Sequence, residues 1–320
     1  RLAPGSIEAR YALGQALQES GDLDAAVDAF QEVIRLKPDF APVYNDLGLV
    51  LVNRREPDAA IAAFNAALKL NPNDLVAHHN LGMALIQKAD YAAAVLQYRK
   101  LISLDPTSAD AHYNLGLALK NKDQFEEAVV ELKKAIELRP TLAEAHYTLG
   151  VTELQQSKLD EAAAEFRAAI EANSTYAEAR YALGTVLQQQ GKIDEALVAF
   201  REALKTAPDA PEIHNTLGTA LRQKGETDAA RSEFQEAARL NKHKQDMQAA
   251  MFALNTGRAQ LKEGNLDGAI ERFEAAIKLN PDDSQAHFAL ARAFQQQGQA
   301  QAAAREYEKA RQLNPRLKPK

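Results

Sequence analysis

The chain repeats itself every 34 residues, and that period constrains its fold more than any other feature. Pro38, Pro72, Pro106 and Pro140 are 34 apart, as are Gly14, Gly48, Gly82, Gly116, Gly150, Gly184 and Gly218. With Ile7 as position 1, units begin at Ile7, Ala41, Leu75, Ala109, Ala143, Ala177 and Pro211. Two more begin at Ala250 and Ser284, after five extra residues, 245–249. A period of this length means small units that cannot bury their own apolar faces and must stack on one another. The 320 residues therefore read as nine units, not as the two globular domains their number suggests. The expected organisation is residues 1–6 as the tail of a truncated upstream repeat, 7–244 as repeats 1–7, 245–249 as an insertion or seam, 250–317 as repeats 8–9, and 318–320 as a basic tail.

Each unit reads as two helices. In repeat 4 the first spans 109–122, and the second runs from Phe125 to Leu138, where Arg139-Pro140 stops it because proline cannot continue a helix. Helices of about 14 residues are marginal alone in water, so each relies on its neighbours. Position 20 is Ala in all nine repeats, position 8 is Gly in eight with Ala291 in the ninth, and position 24 is aromatic in eight with Leu132 in the other. Mid-helix Gly costs about 0.5–1 kcal/mol relative to Ala, so its recurrence calls for close helix contact, with the aromatic filling the space the small residues leave.

Leu-Gly at positions 7 and 8, Ala at 20, an aromatic at 24, Ala at 27 and Pro at 32, as in Leu115-Gly116, Ala128, Ala135 and Pro140, resemble the tetratricopeptide repeat (TPR) family over nearly the whole chain. The resemblance implies an all-α fold, an α-solenoid of nine helix-turn-helix repeats in a right-handed superhelix, with the first helix of each pair on the concave side. The family's position 4 is often a large aromatic, whereas here it is mostly His or Arg.

A terminal repeat must exchange its outward apolar positions for polar ones. Position 28 is Ile or Leu in repeats 1–6 and 8 but Ala238 in repeat 7 and Arg311 in repeat 9, and position 21 is Arg231 in repeat 7. Repeat 9 thus reads as an end and repeat 7 as a partial cap in mid-chain. Lys242 stands where Pro closes most other repeats, so a lengthened, continuous helix is expected to cross the seam between Ala230 and Gly264. Arg1–Ser6 matches positions 29–34 of a repeat, which suggests a piece of a longer repeat protein.

On a helical wheel, positions 3, 4, 7, 8, 10, 11 and 14 of the first helix form the packing face, and positions 2, 5, 6, 9, 12 and 13 lie opposite. In repeats 2–5 the second set holds Leu49 and Val52; His79, Met83 and Ile86; Tyr113 and Leu117; Tyr147, Val151 and Leu154. Asp46, Asn80, Asn114 and Thr148 run beside them at position 6. Apolar groups on a face not needed for packing mark an interaction surface, and side-chain amides both donate and accept, as an extended peptide backbone requires. These fourteen residues are the candidate peptide or partner-binding site; the competing reading is that concave neighbours simply cover one another. From repeat 6 onward the stripe is polar, with Gln188, Arg222, Arg258 and Arg292. The Lys and Asn clamp of co-chaperone members, at positions 5 and 9 of one repeat, is absent.

Other chemistries find little support. There is no Cys, no phosphate loop, nucleophile elbow or H-E-x-x-H, and no cofactor motif, so no catalytic, metal or cofactor residue is assigned. Five of seven His sit at position 4, one per repeat and so about 10 Å apart, too far to share a zinc ion, and read as structural. A net charge of −6, with the acidic excess in residues 1–160, disfavours nucleic acid. No apolar stretch approaches the roughly 18–20 residues of a bilayer span, so no membrane insertion is expected, and the compartment, cytoplasmic or exported, is left open. The reading is a non-enzymatic scaffold binding a protein or peptide. Two alternatives stand beside it: the recognition arm of a larger enzyme resembling O-linked N-acetylglucosamine transferases, and a structural protein self-associating through its repeat ends.

Overall fold

A computed structural model describes residues 6–317; all but Ser6 of the remnant assigned to residues 1–6, and the basic tail 318–320, lie outside the described residues. Every regular element among them is helical. The chain forms two compact units, Arg1–Thr206 and Ala207–Lys320. The first holds α1 (Ile7–Ser20), α2 (Leu23–Leu36), α3 (Ala41–Asn53), α4 (Pro57–Leu70), α5 (Leu75–Gln87), α6 (Tyr91–Leu104), α7 (Ala109–Lys120), α8 (Phe125–Leu138), α9 (Ala143–Gln155), α10 (Leu159–Ala172), α11 (Ala177–Gln189) and α12 (Ile193–Thr206). The second holds α13 (Pro211–Lys224), α14 (Thr227–Lys262), α15 (Leu266–Leu279), α16 (Ser284–Gln296) and α17 (Ala300–Leu313). Within each unit every helix packs on the next, as in an α-solenoid of TPR repeats.

The repeated Gly and aromatic are the two halves of one contact. A Cβ on Gly184 would lie 2.6 Å from the Phe200 ring, and one on Gly116 would lie 2.7 Å from Leu132, so the position-24 side chain fills the notch whether aromatic or not. Small residues at position 20, all at most 4% exposed, seat the second helix close enough for this.

Position 15 makes the turn within each repeat in left-handed backbone. Five repeats use Gly there, such as Gly191 at φ 76°, but Arg55, Ala89, Asp123 and Ser157 hold φ between 58° and 62°. This turn also ends α7 at Lys120, two residues before the expected Lys122. A left-handed L-residue costs roughly 1–2 kcal/mol, partly offset by the greater unfolded-state freedom of Gly. Ala89, exposed, is therefore expected to gain about 0.5–1 kcal/mol on Ala89→Gly, read as a raised urea midpoint at unchanged slope.

The position-4 histidines tie the entering turn to the second helix of their own repeat. His146 sets Nδ1 2.7 Å from Glu165 and Nε2 3.1 Å from the Pro140 carbonyl, and His112, His214 and His287 repeat the arrangement on Glu131, Glu233 and Glu306. With acceptors on both ring nitrogens the imidazolium satisfies both, and the Glu165 bond raises the His146 pKa against the opposing effect of burial. In repeat 3 the side-chain amide of Gln97 takes the place of the Glu carboxylate beside His78, 2.9 Å from its Nδ1.

In the second unit α14 runs unbroken through 245–249, because no proline stands at 242 to stop it. Its first half packs on α13 and its second half on α15, so one 36-residue helix serves as the second helix of repeat 7 and the first helix of repeat 8.

Candidate functional site

The first helices of repeats 2–5, α3, α5, α7 and α9, touch one another in sequence and bring the stripe positions into adjacent rows. Positions 5 and 6 form a polar ladder between neighbouring repeats. Tyr11 Oη donates to Asp46 at 2.6 Å, joined by Gln15 Nε2 at 3.0 Å, Asn80 Nδ2 donates to Asn45 Oδ1 at 2.9 Å, and Tyr113 pairs with Thr148. Asn114 instead turns back to the carbonyl of Asp110 at 2.9 Å, and both Asn114 and Thr148 are buried. Except for Asn114, which bonds within its own helix, these polar groups are engaged between repeats. Burial and the Asp46 bond push the Tyr11 hydroxyl pKa well above its ordinary value.

Positions 9 and 12 form the apolar part. Leu49, Val52, Ile86, Leu117, Val151 and Leu154 are half-buried, and Met83 is exposed. His79 and Tyr147 flank this row, both half-buried; burial lowers the His79 pKa, and Tyr147 packs its ring 5.1 Å from Tyr176. An exposed thioether among half-buried aliphatic groups is a surface on which an apolar side chain loses water without displacing a protein contact.

Two residues that the sequence reading passed over belong to the same surface. Val76, at position 2, is 58% exposed at the edge beside Met83's helix face. Lys120, at position 12 between the rows of Ile86 and Leu154, is half-buried, and burial lowers its pKa. Both stand at stripe positions, so the spacing that found the others also points to them. An ammonium with aliphatic residues in the neighbouring rows gains more from a carboxylate than a fully solvated one does. At the opposite end of α7, Asp110 is held below the usual carboxylate range by Arg139, whose two amino groups donate to it at 2.9 and 2.7 Å, so that acid is already engaged.

The chain matches a family model described as Tetratricopeptide repeat over residues 11–74, 181–250 and 254–317, and a second, TPR repeat, over 82–123, 119–157 and 152–191. No curated protein sequence matches it. Among solved structures it is similar to a tetratricopeptide repeat protein from Parabacteroides merdae, at 16% identity and TM-score 0.60, over 73% of this chain and 93% of that one. It is also similar to pilF of Pseudomonas aeruginosa, at 21% identity and TM-score 0.56, over 62% and 91%. The MamA RS-1 ArsTM double mutant matches at 25% identity and TM-score 0.51, over 54% and 97%. At these identities the first two likenesses show the fold alone.

Proposed function

The chain belongs to the tetratricopeptide repeat family, and from that membership we propose that it is a non-enzymatic interaction scaffold whose first-helix stripe in repeats 2–5 captures an apolar peptide or partner helix carrying one acidic side chain. The observation that carries this is Lys120, a half-buried ammonium set among the apolar positions 9 and 12. Leu49, Val52, Met83, Ile86, Leu117, Val151 and Leu154 would supply the contact area, with His79 and Tyr147 as amphipathic flanks. The ladder residues Asp46, Asn80, Tyr113, Asn114 and Thr148 would fix the spacing of the rows, not bond the ligand, since their polar atoms are engaged between or within repeats.

Selection from a displayed library of random peptides tests the reading. The expected ligands are apolar with an Asp or Glu in fixed register, and Lys120→Glu should replace that acid with Lys or Arg. Met83→Glu with Leu117→Glu should weaken the selected peptides at least about a hundredfold, as expected for charges buried in an apolar contact. Binding unchanged by the double substitution, or selected peptides with no acid in register, would sink the proposal.

A further inference from the structure

Two faces that the other repeat junctions within each unit cover are left open on the single helix α14. Position 3 of a first helix meets the preceding repeat: Val43, Ala77, Ala111, Ala145, Ala179 and Ala286 there are all buried. In repeat 8 that position is Phe252, the largest side chain found at it, and it is 74% exposed. Position 10 agrees, since Ala259 of repeat 8 and Ala16 of repeat 1 are exposed while Val50, Ala84 and Ala293 are buried. The junction face of repeat 8's first helix is thus left uncovered. The converse holds for the second helix of repeat 7, where Arg231 and Ala238, at positions 21 and 28, are exposed and Phe234 is only half-buried although Phe30, Phe64, Phe166 and Phe200 are fully covered.

The register between such faces is fixed across the fold. Position 14 of one repeat reaches position 18 of the preceding one in Arg54–Asp24 at 3.2 Å, Gln190–Asp160 at 2.9 Å and Gln297–Asp267 at 2.5 Å. To within one residue, this antiparallel register sets position 3 opposite position 28, 7 opposite 24 and 10 opposite 21. For α14 each of those pairs is symmetric about Gln245.

The five-residue insertion decides whether one straight helix can present both faces together. A helix advances about 100° per residue, so the nine residues that ordinarily separate position 28 from the next position 3 would place them about 180° apart, on opposite sides. With five more, Ala238 and Phe252 are 14 residues apart, two heptads, and about 40° from alignment. Phe234, Ala238, Asn241, Gln245, Gln248 and Phe252 then follow one a/d stripe, exposed apart from the half-buried Phe234.

We infer that α14 is a two-fold dimerisation helix: two copies of this chain lay their α14 helices antiparallel about Gln245, so that repeat 7 of each copy stacks on repeat 8 of the other. The other copy is the matching occupant because it alone carries both halves of the junction in the correct register. Phe252 then covers Ala238 of the other copy, and Thr256 and Ala259 lie over its Phe234 and Arg231. Near the centre Lys244 faces Asp246 of the other copy, twice by symmetry, and Gln245 meets its own equivalent, where an amide both donates and accepts. At the outer ends Arg231 lies between Asp228 of its own chain, 3.4 Å away, and Glu263 of the other.

The chain has no Cys, so a single introduced thiol reports the axis directly. Gln245→Cys in the full chain, under mild oxidation, is expected to form a disulfide-linked dimer with itself, whereas Arg305→Cys, exposed and away from the axis, should not. Light scattering of the unmodified chain should give twice the chain mass, and Phe252→Glu should weaken association at least about tenfold. Deletion of 245–249 together with Lys242→Pro restores both the ordinary spacing and the ordinary stop, and should yield a monomer in which repeat 8 packs on repeat 7 of its own chain. A monomeric mass at all concentrations across about a hundredfold range, or Gln245→Cys linking no faster than Arg305→Cys, overturns the inference. So does a deletion variant that remains dimeric.

Discussion

Phe166→Ala is expected to cost about 3–5 kcal/mol, and Phe234→Ala, the same substitution at the same repeat position, only about 1 kcal/mol in the single chain, at concentrations where α14 is unpaired. Phe166 is fully buried in the notch opposite Gly150, where a Cβ would come within 2.8 Å of its ring. Its removal leaves a cavity that the rigid helix pair cannot close. Phe234 fills the equivalent notch at Gly218, but its outer side is uncovered at the open end of repeat 7, with Arg222 5.6 Å over the ring. Truncation there deepens a surface without creating an enclosed void. Because a repeat array opens locally as well as globally, amide exchange is the sharper readout. Phe166→Ala should strip protection from α9 and α10, and Phe234→Ala should leave α13 nearly unchanged. Equal losses at the two sites would show that repeat 7 is covered as repeat 5 is.

Glu153→Leu is expected to raise stability by about 1–3 kcal/mol at neutral pH, an uncommon direction for a core substitution. Position 11 is Leu in six of the nine repeats, and Leu85, Leu119, Leu187 and Leu221 are buried there. In repeat 5 it is Glu153, 4% exposed, with Oε2 buried and without a hydrogen-bond partner. Burial, then the neighbouring charge of Glu165, raises its pKa, against the attraction of Lys133 and Lys158. A carboxyl whose folded-state pKa lies above its unfolded value destabilises the fold once ionised. The penalty is absent below the unfolded value, near the ordinary 4.5, grows as pH rises to the folded pKa, and is complete above it. Glu153→Gln, which stays neutral, should therefore exceed the wild type in stability at pH 7 and lose that advantage toward pH 4. Denaturant melts at the two pH values check this, and an advantage constant with pH would mean the carboxylate is solvated.

The candidate site and the fold were legible in the sequence to different depths. The apolar positions 9 and 12 follow from helical periodicity, and of them Leu49, Leu117 and Val151 are half-buried and Met83 exposed. The fate of the position-6 polar groups did not follow, because a wheel assigns a face and not a partner. Asn80 reaches Asn45 of the preceding repeat, while Asn114, at the same position, bonds its own helix. Lys120 and Val76 were on the predicted face, yet a search for apolar positions 5, 9 and 12 skips a lysine at 12 and a valine at 2.

By itself the 34-residue spacing determined the repeat count, the helix pairs, the notch between Gly and aromatic, and the helix through the insertion, because these depend on contacts within a repeat that recurs nearly unchanged. What only the tertiary structure decided is which copies of a position are covered. Phe166 and Phe234, or Ala145 and Phe252, are equivalent by sequence register, yet in each pair one is sealed and the other open. Coverage belongs to the neighbouring repeat, and whether that neighbour folds back or continues as one straight helix is set at residues 242–249, where the ordinary stop is missing and five residues turn the next face by more than a quarter of a circle.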